Sequence, residues 1–135
     1  MYQSAQLSLE FLIVITIAIS LMCLMVPVVS KAYERAFSII DAANARLFAS
    51  ELKGSIKIVK TLSSGSEIFL KCNPLQEWIL VLDDAKISIT TGSHKIIIEP
   101  NTSISSPKSN YKIKGTNCFI LRKEKEGVLL LVRNC

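Results

Sequence analysis

Hydrophobic and polar positions along the chain fall into three regimes. The first is an uncharged run of nineteen residues, Phe11–Val29, "FLIVITIAISLMCLMVPVV", introduced by Glu10. Glu10 is the only charged residue between the start of the chain and Lys31. About 20 apolar residues span the hydrocarbon of a bilayer as a helix, so the run has the length of a transmembrane segment. It is longer than the apolar core of an ordinary secretory leader, about 7–15 residues, and no small-x-small cleavage pattern follows Val29. Pro27, near its end, is expected to loosen one turn rather than stop the helix.

The second regime runs from Lys31 to about Leu62 and keeps helical spacing. Tyr33, Phe37, Ile40, Ala43, Leu47 and Leu52 recur on one predicted stripe, with Lys31, Glu34, Arg35, Asp41, Arg46, Glu51 and Lys53 mostly off it. Ala is frequent, and Gly/Ser punctuation arrives only around Ser64–Ser66. The pattern predicts one long helix over residues 6–62, weakened at Gly54, with residues 11–29 in lipid and an amphipathic second half in need of a covering face.

From about residue 66 to 135 the period changes to that of strands. "EIFLKC", "WILVL", "KISIT", "KIIIE", "NCFILRK" and "GVLLLVR" are short runs rich in β-branched and aliphatic residues, bounded by turn formers. "KISITTGSHKIIIE" reads as a hairpin turning at Gly92–Ser93 and "FILRKEKEGVLLLV" as a second with a charged tip. The segment 99–110, "EPNTSISSPKSN", reads as a polar surface loop. The predicted fold class is α+β: a long N-terminal helix, transmembrane then amphipathic, followed by a small antiparallel β-sheet head. About six strands in one sheet would cover the stripe of Phe37, Ile40 and Leu47.

Composition sharpens this picture. Half of the 135 residues are hydrophobic, and the mean hydropathy of +0.39 is high for a soluble globule. The excess is concentrated in the first thirty residues; the remainder is enough for one modest core. The formal charge is +5, but the basic residues are interleaved with acidic ones and form no continuous run of the kind that marks a nucleic-acid stripe. Nucleic acid is therefore not expected as the primary ligand.

Candidate chemistry is sparse. His94 is the single histidine and sits beside a predicted turn, where an exposed polar side chain is expected rather than a general base. Asp83 and Asp84 are adjacent, and "DDAK" reads as a turn. Trp78 heads an apolar strand and is expected in the core. There is no Gly-rich phosphate loop and no Ser-His-Asp set, so neither an enzyme nor a cofactor or metal site is expected. Cys23 reads as a small hydrophobe in the apolar run. Cys72, Cys118 and Cys135 lie in the strand-rich part, where an oxidising compartment would allow one disulfide among three possible pairs. A bond from Cys135 to Cys72 or Cys118 would pin the chain end. Asn101-Thr102-Ser103 fits the N-glycosylation sequon, with a plain turn as the alternative.

The head of the apolar run carries a more specific pattern. "QLSLEF", with Gln6, Ser8, Glu10 and Phe11, resembles the Q-x-S-x-E-F signature of class III signal peptides, carried by archaeal type IV pilins and pilin-like proteins. The resemblance implies that a prepilin peptidase cuts between Ala5 and Gln6, removing residues 1–5 and keeping the apolar helix on the mature chain. Family members usually carry Gly before the cut and a basic residue in the leader; this chain has Ala5 and none. Lys31 and Arg35 also lie on the side that charge bias would keep in the cytoplasm. The resemblance further implies a pilin-like fold and assembly with other pilin subunits, like or unlike. It places the chain first in the cell membrane, then in an extracellular filament, with Glu10 as an assembly determinant. Two other readings of the same pattern are a singly anchored extracellular binding protein and a pseudopilin-like part of a secretion or DNA-uptake machine.

Overall fold

The computed structural model describes residues 2–83 and 85–135, with side chains from Ser8 onward. One α-helix, α1 (Tyr2–Thr61), is followed by eight strands: β1 (Glu67–Cys72), β2 (Trp78–Asp83), β3 (Lys86–Thr91), β4 (His94–Ile98), β5 (Ile104–Ser105), β6 (Asn110–Ile113), β7 (Asn117–Lys123) and β8 (Val128–Asn134). The chain divides into two compact units, Met1–Ala36 and Phe37–Cys135.

The first unit is helix alone. Pro27 lies inside it without ending it; the missing N–H leaves only the carbonyl of Cys23, four residues back, without its helical partner. The hydroxyls of Thr16 and Ser20 donate to the carbonyls of Leu12 and Thr16, at 2.7 and 2.8 Å. These bonds satisfy two polar side chains within the helix itself, without water.

In the second unit the rest of α1 packs with two four-stranded sheets, in the orders β1-β7-β8-β5 and β4-β3-β2-β6. Six of the eight strands coincide with the six expected runs. The expected single sheet is instead two sheets, because β2, β3 and β4 pair only among themselves and with β6, while β1 crosses to pair with β7. Register is strict in both. Leu80 stands opposite Ile89 and Tyr111, and Phe119 stands opposite Leu70 and Val132. A one-residue slip would turn every one of these side chains out of the core.

The segment expected as a surface loop carries one short strand and the first residue of another. Ile104 is buried and β5 runs parallel to β8. Its close approach requires Gly127, where a Cβ would lie 2.6 Å from the Ser103 carbonyl oxygen that accepts from Val128 N–H. Asn110 begins β6, which covers the free edge of β2. The hairpin between β3 and β4 turns at Gly92, whose φ of 53° is the left-handed conformation that glycine adopts without strain.

Of the stripe expected from the sequence, the buried helix face keeps only Leu52. Phe37, Ile40 and Leu47 are 50–70% exposed. The face in the core is Ala45, Phe48, Ala49, Leu52, Ile56 and Val59, with Asp41 at its head. Positions 41, 45, 48, 52, 56 and 59 also repeat at three and four residues, and with Ala42 and Ala49 beside them they combine small residues for close approach with one large wedge. Phe48 is that wedge: its ring lies 5.9 Å from Trp78 of one sheet and 4.8 Å from Phe119 of the other, tilted to both. Burial of Phe48 thus ties the helix to both sheets.

Gly54 lies in the helix, with no atom within 4 Å of where a Cβ would be. Gly54→Ala is therefore expected to raise stability by about 0.5–1 kcal/mol, through the entropy lost by the unfolded chain. Thermal unfolding followed by circular dichroism in micelles measures it.

Candidate functional site

The features that carry chemistry lie in three places. In the first unit, every described side chain from Ser8 to Ala36 is exposed. Phe11, Leu12, Met22, Leu24 and Met25 each expose more than 60% of their surface, and the helix is long and apolar enough to cross a membrane. Leaving apolar area in water costs about 25 cal/mol per Å², so this surface calls for cover by lipid or by other protein. Ser8, Glu10 and Phe11 are all helical and exposed. Glu10 heads the uncharged run and makes no ion pair or hydrogen bond among the described residues. Ala5 and Gln6 are helical; their side chains lie outside the described residues.

The second place is the junction between the helix and the β4-β3-β2-β6 sheet, and it was missed in the sequence. Asp41 is fully buried. Its Oδ1 accepts from the backbone N–H groups of Leu75 and Gln76, at 3.0 and 3.4 Å. Its Oδ2 accepts from Trp78 Nε1 at 2.8 Å and from the Thr91 hydroxyl. One carboxylate thus closes the β1–β2 connection, the start of β2 and the end of β3 against the helix. Four donors on one acceptor-only group satisfy what would otherwise be a costly burial. The signal was present: an acidic residue four positions, about one helical turn, before Ala45 on the true core face.

The third place holds the cysteines. Cys118 and Cys135 form a disulfide, Cα–Cα 5.2 Å, across seventeen positions of sequence. It ties the chain end to β7, and closing a loop of that length contributes about 3 kcal/mol in the chain-entropy account. Cys72 stays free because of register. Lys71 stands opposite Cys118, and Cys72 opposite Asn117, so alternation puts Cys72 on the inner face of the sheet and Cys118 on the outer. Burial pushes the Cys72 thiol up to about 11, with a smaller opposing contribution from its backbone hydrogen bond at Asn117.

The remaining candidates are dispersed. His94 is half-buried rather than exposed; it opens β4 and borders a groove with Arg46 and Leu47 of the helix. Trp78 is buried, as expected. Asp83 stands opposite Lys86 across the β2–β3 turn, and Asp84 lies outside the described residues. Asn101 is exposed, with φ of 51°, and its carbonyl accepts from Lys60 Nζ at 3.0 Å. Among the described residues, no three His, Cys, Asp or Glu side chains lie together as metal ligands would.

No protein-family description, curated protein or solved structure matches this chain.

Two expectations follow. Replacing Asp41 with Ala leaves four donors facing a void and should lower stability by about 3 kcal/mol, whereas Asp41→Asn keeps one acceptor oxygen and should cost less. Unfolding in urea, read by the fluorescence of the single tryptophan and by circular dichroism together, separates the two. For Cys72, the folded thiol titrates above its ordinary 9.0. The stability it contributes is therefore complete below pH 9 and lost as pH rises through about 11. Cys72→Ala should flatten this alkaline fall in stability between pH 9 and 11, measured as the midpoint of denaturation against pH.

Proposed function

We propose that this chain is a structural subunit, major or minor, of an archaeal type IV pilus-like surface filament. The observation that carries the reading is the uncovered apolar helix headed by Glu10 within Gln6-x-Ser8-x-Glu10-Phe11, joined to a β-rich unit that has its own core. A prepilin peptidase would remove residues 1–5, and the helix would hold the subunit in the membrane until assembly.

Two further observations support it. The Cys118–Cys135 disulfide suits a head outside the cytoplasm, where thiols oxidise and stay oxidised. The helix also keeps a second apolar face in the head unit: Phe37, Ile40, Leu47 and Ile58 remain at least half exposed while the opposite face fills the core. In a filament, neighbouring subunits would cover that face and the membrane segment alike.

Glu10 has a defined task in this reading. At the start of the helix its charge is favoured by the helix dipole and can reach the interface. After cleavage, the new amine of Gln6 lies one turn away on the same chain or on an adjacent one. Opposite charges 4 Å apart in an intermediate dielectric attract by about 4 kcal/mol, enough to set the register of one subunit on the next. Where Gln6 cyclises, a donor such as Ser8 takes the place of the amine.

The intact mass of the chain recovered from cells is expected to correspond to residues 6–135. An uncut chain, or one cut after Val29, would sink the reading. Electron microscopy of sheared surface fibres is expected to show filaments containing this chain; mature chain found only as single anchored molecules would favour the surface-binding alternative. Glu10→Gln is expected to reduce incorporation into fibres at least tenfold while leaving cleavage intact, as read by mass and by immunoblot of the sheared fraction.

A further inference from the structure

Along the sequence, the basic residues of the helix look scattered. In space they are not. At about 100° per residue, Arg46, Lys53, Lys57 and Lys60 fall within an arc of roughly 60° on one flank, and they span about 21 Å of helix. All four are exposed. Lys60 donates to the Asn101 carbonyl; Arg46, Lys53 and Lys57 make no ion pair or hydrogen bond among the described residues. No acidic side chain of this part of the helix shares the flank. Asp41 is committed to the core, and Glu51 lies roughly 150° away around the axis.

Lys53, Lys57 and Lys60 also border a cleft of about 560 Å³, closed on its other side by Glu99 and Asn101. The one carboxylate there, Glu99, is already paired with Lys86 at 3.0 Å. Gly54 forms part of the wall, and the open space at its Cβ position lets a ligand approach the helix backbone closely. Lys60 sits in the last turn, where the helix dipole favours a cation, but lysines at i, i+4 and i+7 also repel one another, a repulsion that a ligand neutralising them would relieve.

We propose that this flank binds the phosphodiester backbone of duplex nucleic acid without reading its bases. A straight row of cations matches a rod that carries a phosphate every 3.4 Å or so along each strand. Lysine, the majority here, meets phosphate as a point charge rather than as a planar fork for base edges. No aromatic side chain borders the cleft, so it lacks the stacking platform that single strands require. The site lies wholly within the head unit and stands independently of the filament reading; repetition along a filament would add avidity.

The test uses the full-length chain in neutral detergent micelles and a labelled mixed-sequence duplex of about 20 base pairs, a span that exceeds the row of cations. Fluorescence anisotropy is expected to give an affinity whose logarithm falls against log salt with a slope of about −3 to −4, a loss of roughly a hundredfold between 50 and 200 mM. Combined Lys53→Gln and Lys57→Gln should make the slope shallower by about 2. Lys95→Gln with Lys114→Gln, exposed and off the flank, should change neither slope nor affinity, and circular dichroism checks that both variants keep the helix. Absence of duplex binding at 50 mM salt overturns the proposal. So does an equal effect of the two double variants, which would mean diffuse charge. So does flank-dependent binding of a sulfated polysaccharide by a chain that does not retain the duplex.

Discussion

One helix carries both an uncovered apolar segment and one face of a packed core, and the segregation of its surface between the two underlies the rest of the structure. In the first unit the helix satisfies its own backbone and turns apolar side chains outward on all sides, which only a nonaqueous surrounding or other protein can cover. In the second unit the same helix commits one face to a head domain. Small residues there, Ala45 and Ala49, let the backbone come close, while Phe48 reaches both Trp78 and Phe119. Asp41 then fixes where along the helix the sheet must start. Its two oxygens hold Trp78, Thr91 and the backbone before β2 at one height. Packing gives the head its adhesion to the helix, and the carboxylate gives it its register.

The strands follow from that anchoring. β2 and β3 begin and end at residues held by Asp41, so their pairing is placed before their own hydrogen bonds are counted. β1 leaves the helix by the Ser63–Ser66 turn, with Gly65 N–H donating to the Lys123 carbonyl and Lys123 N–H to that of Ser66. This sends β1 to β7 rather than to β2, which is why one stretch of consecutive strands becomes two sheets. The Cys118–Cys135 bond closes the last strand onto the middle of its sheet. Cys72, one position away in register but on the inner face, is left as a packed thiol whose ionisation burial opposes.

Much of the fold was legible because two of its periods are strong. The uncharged run Phe11–Val29 and the long alternating strands could hardly be read otherwise, and the helix was expected to end within a residue of Thr61. The buried face of the second half was misread because both candidate stripes repeat at three and four residues. Bulk favoured Phe37, Ile40 and Leu47, whereas close approach to a sheet favours alanine with one large wedge. An acidic residue at the head of the true face argued against it on polarity alone; only the four donors that meet Asp41, from residues 34 to 50 positions later in the chain, make that position affordable. β5 and β6 escaped notice because two and four residues are too few to show alternation, and because Ser, Pro and Lys around them read as loop.

The error about the helix face is informative in its own right. Phe37, Ile40, Leu47 and Ile58 keep amphipathic spacing although the head does not use them. A helix that merely supported a soluble head would gain from polar residues there, since exposed apolar area brings aggregation without stability. A helix that is covered twice, once by its own sheets and once by something outside the chain, needs apolar surface on both sides. The basic flank of Arg46, Lys53, Lys57 and Lys60 lies between those two faces in the angular order around the axis. A partner seated on the apolar face would therefore leave a charged margin beside it, so that face and the basic flank could be used separately.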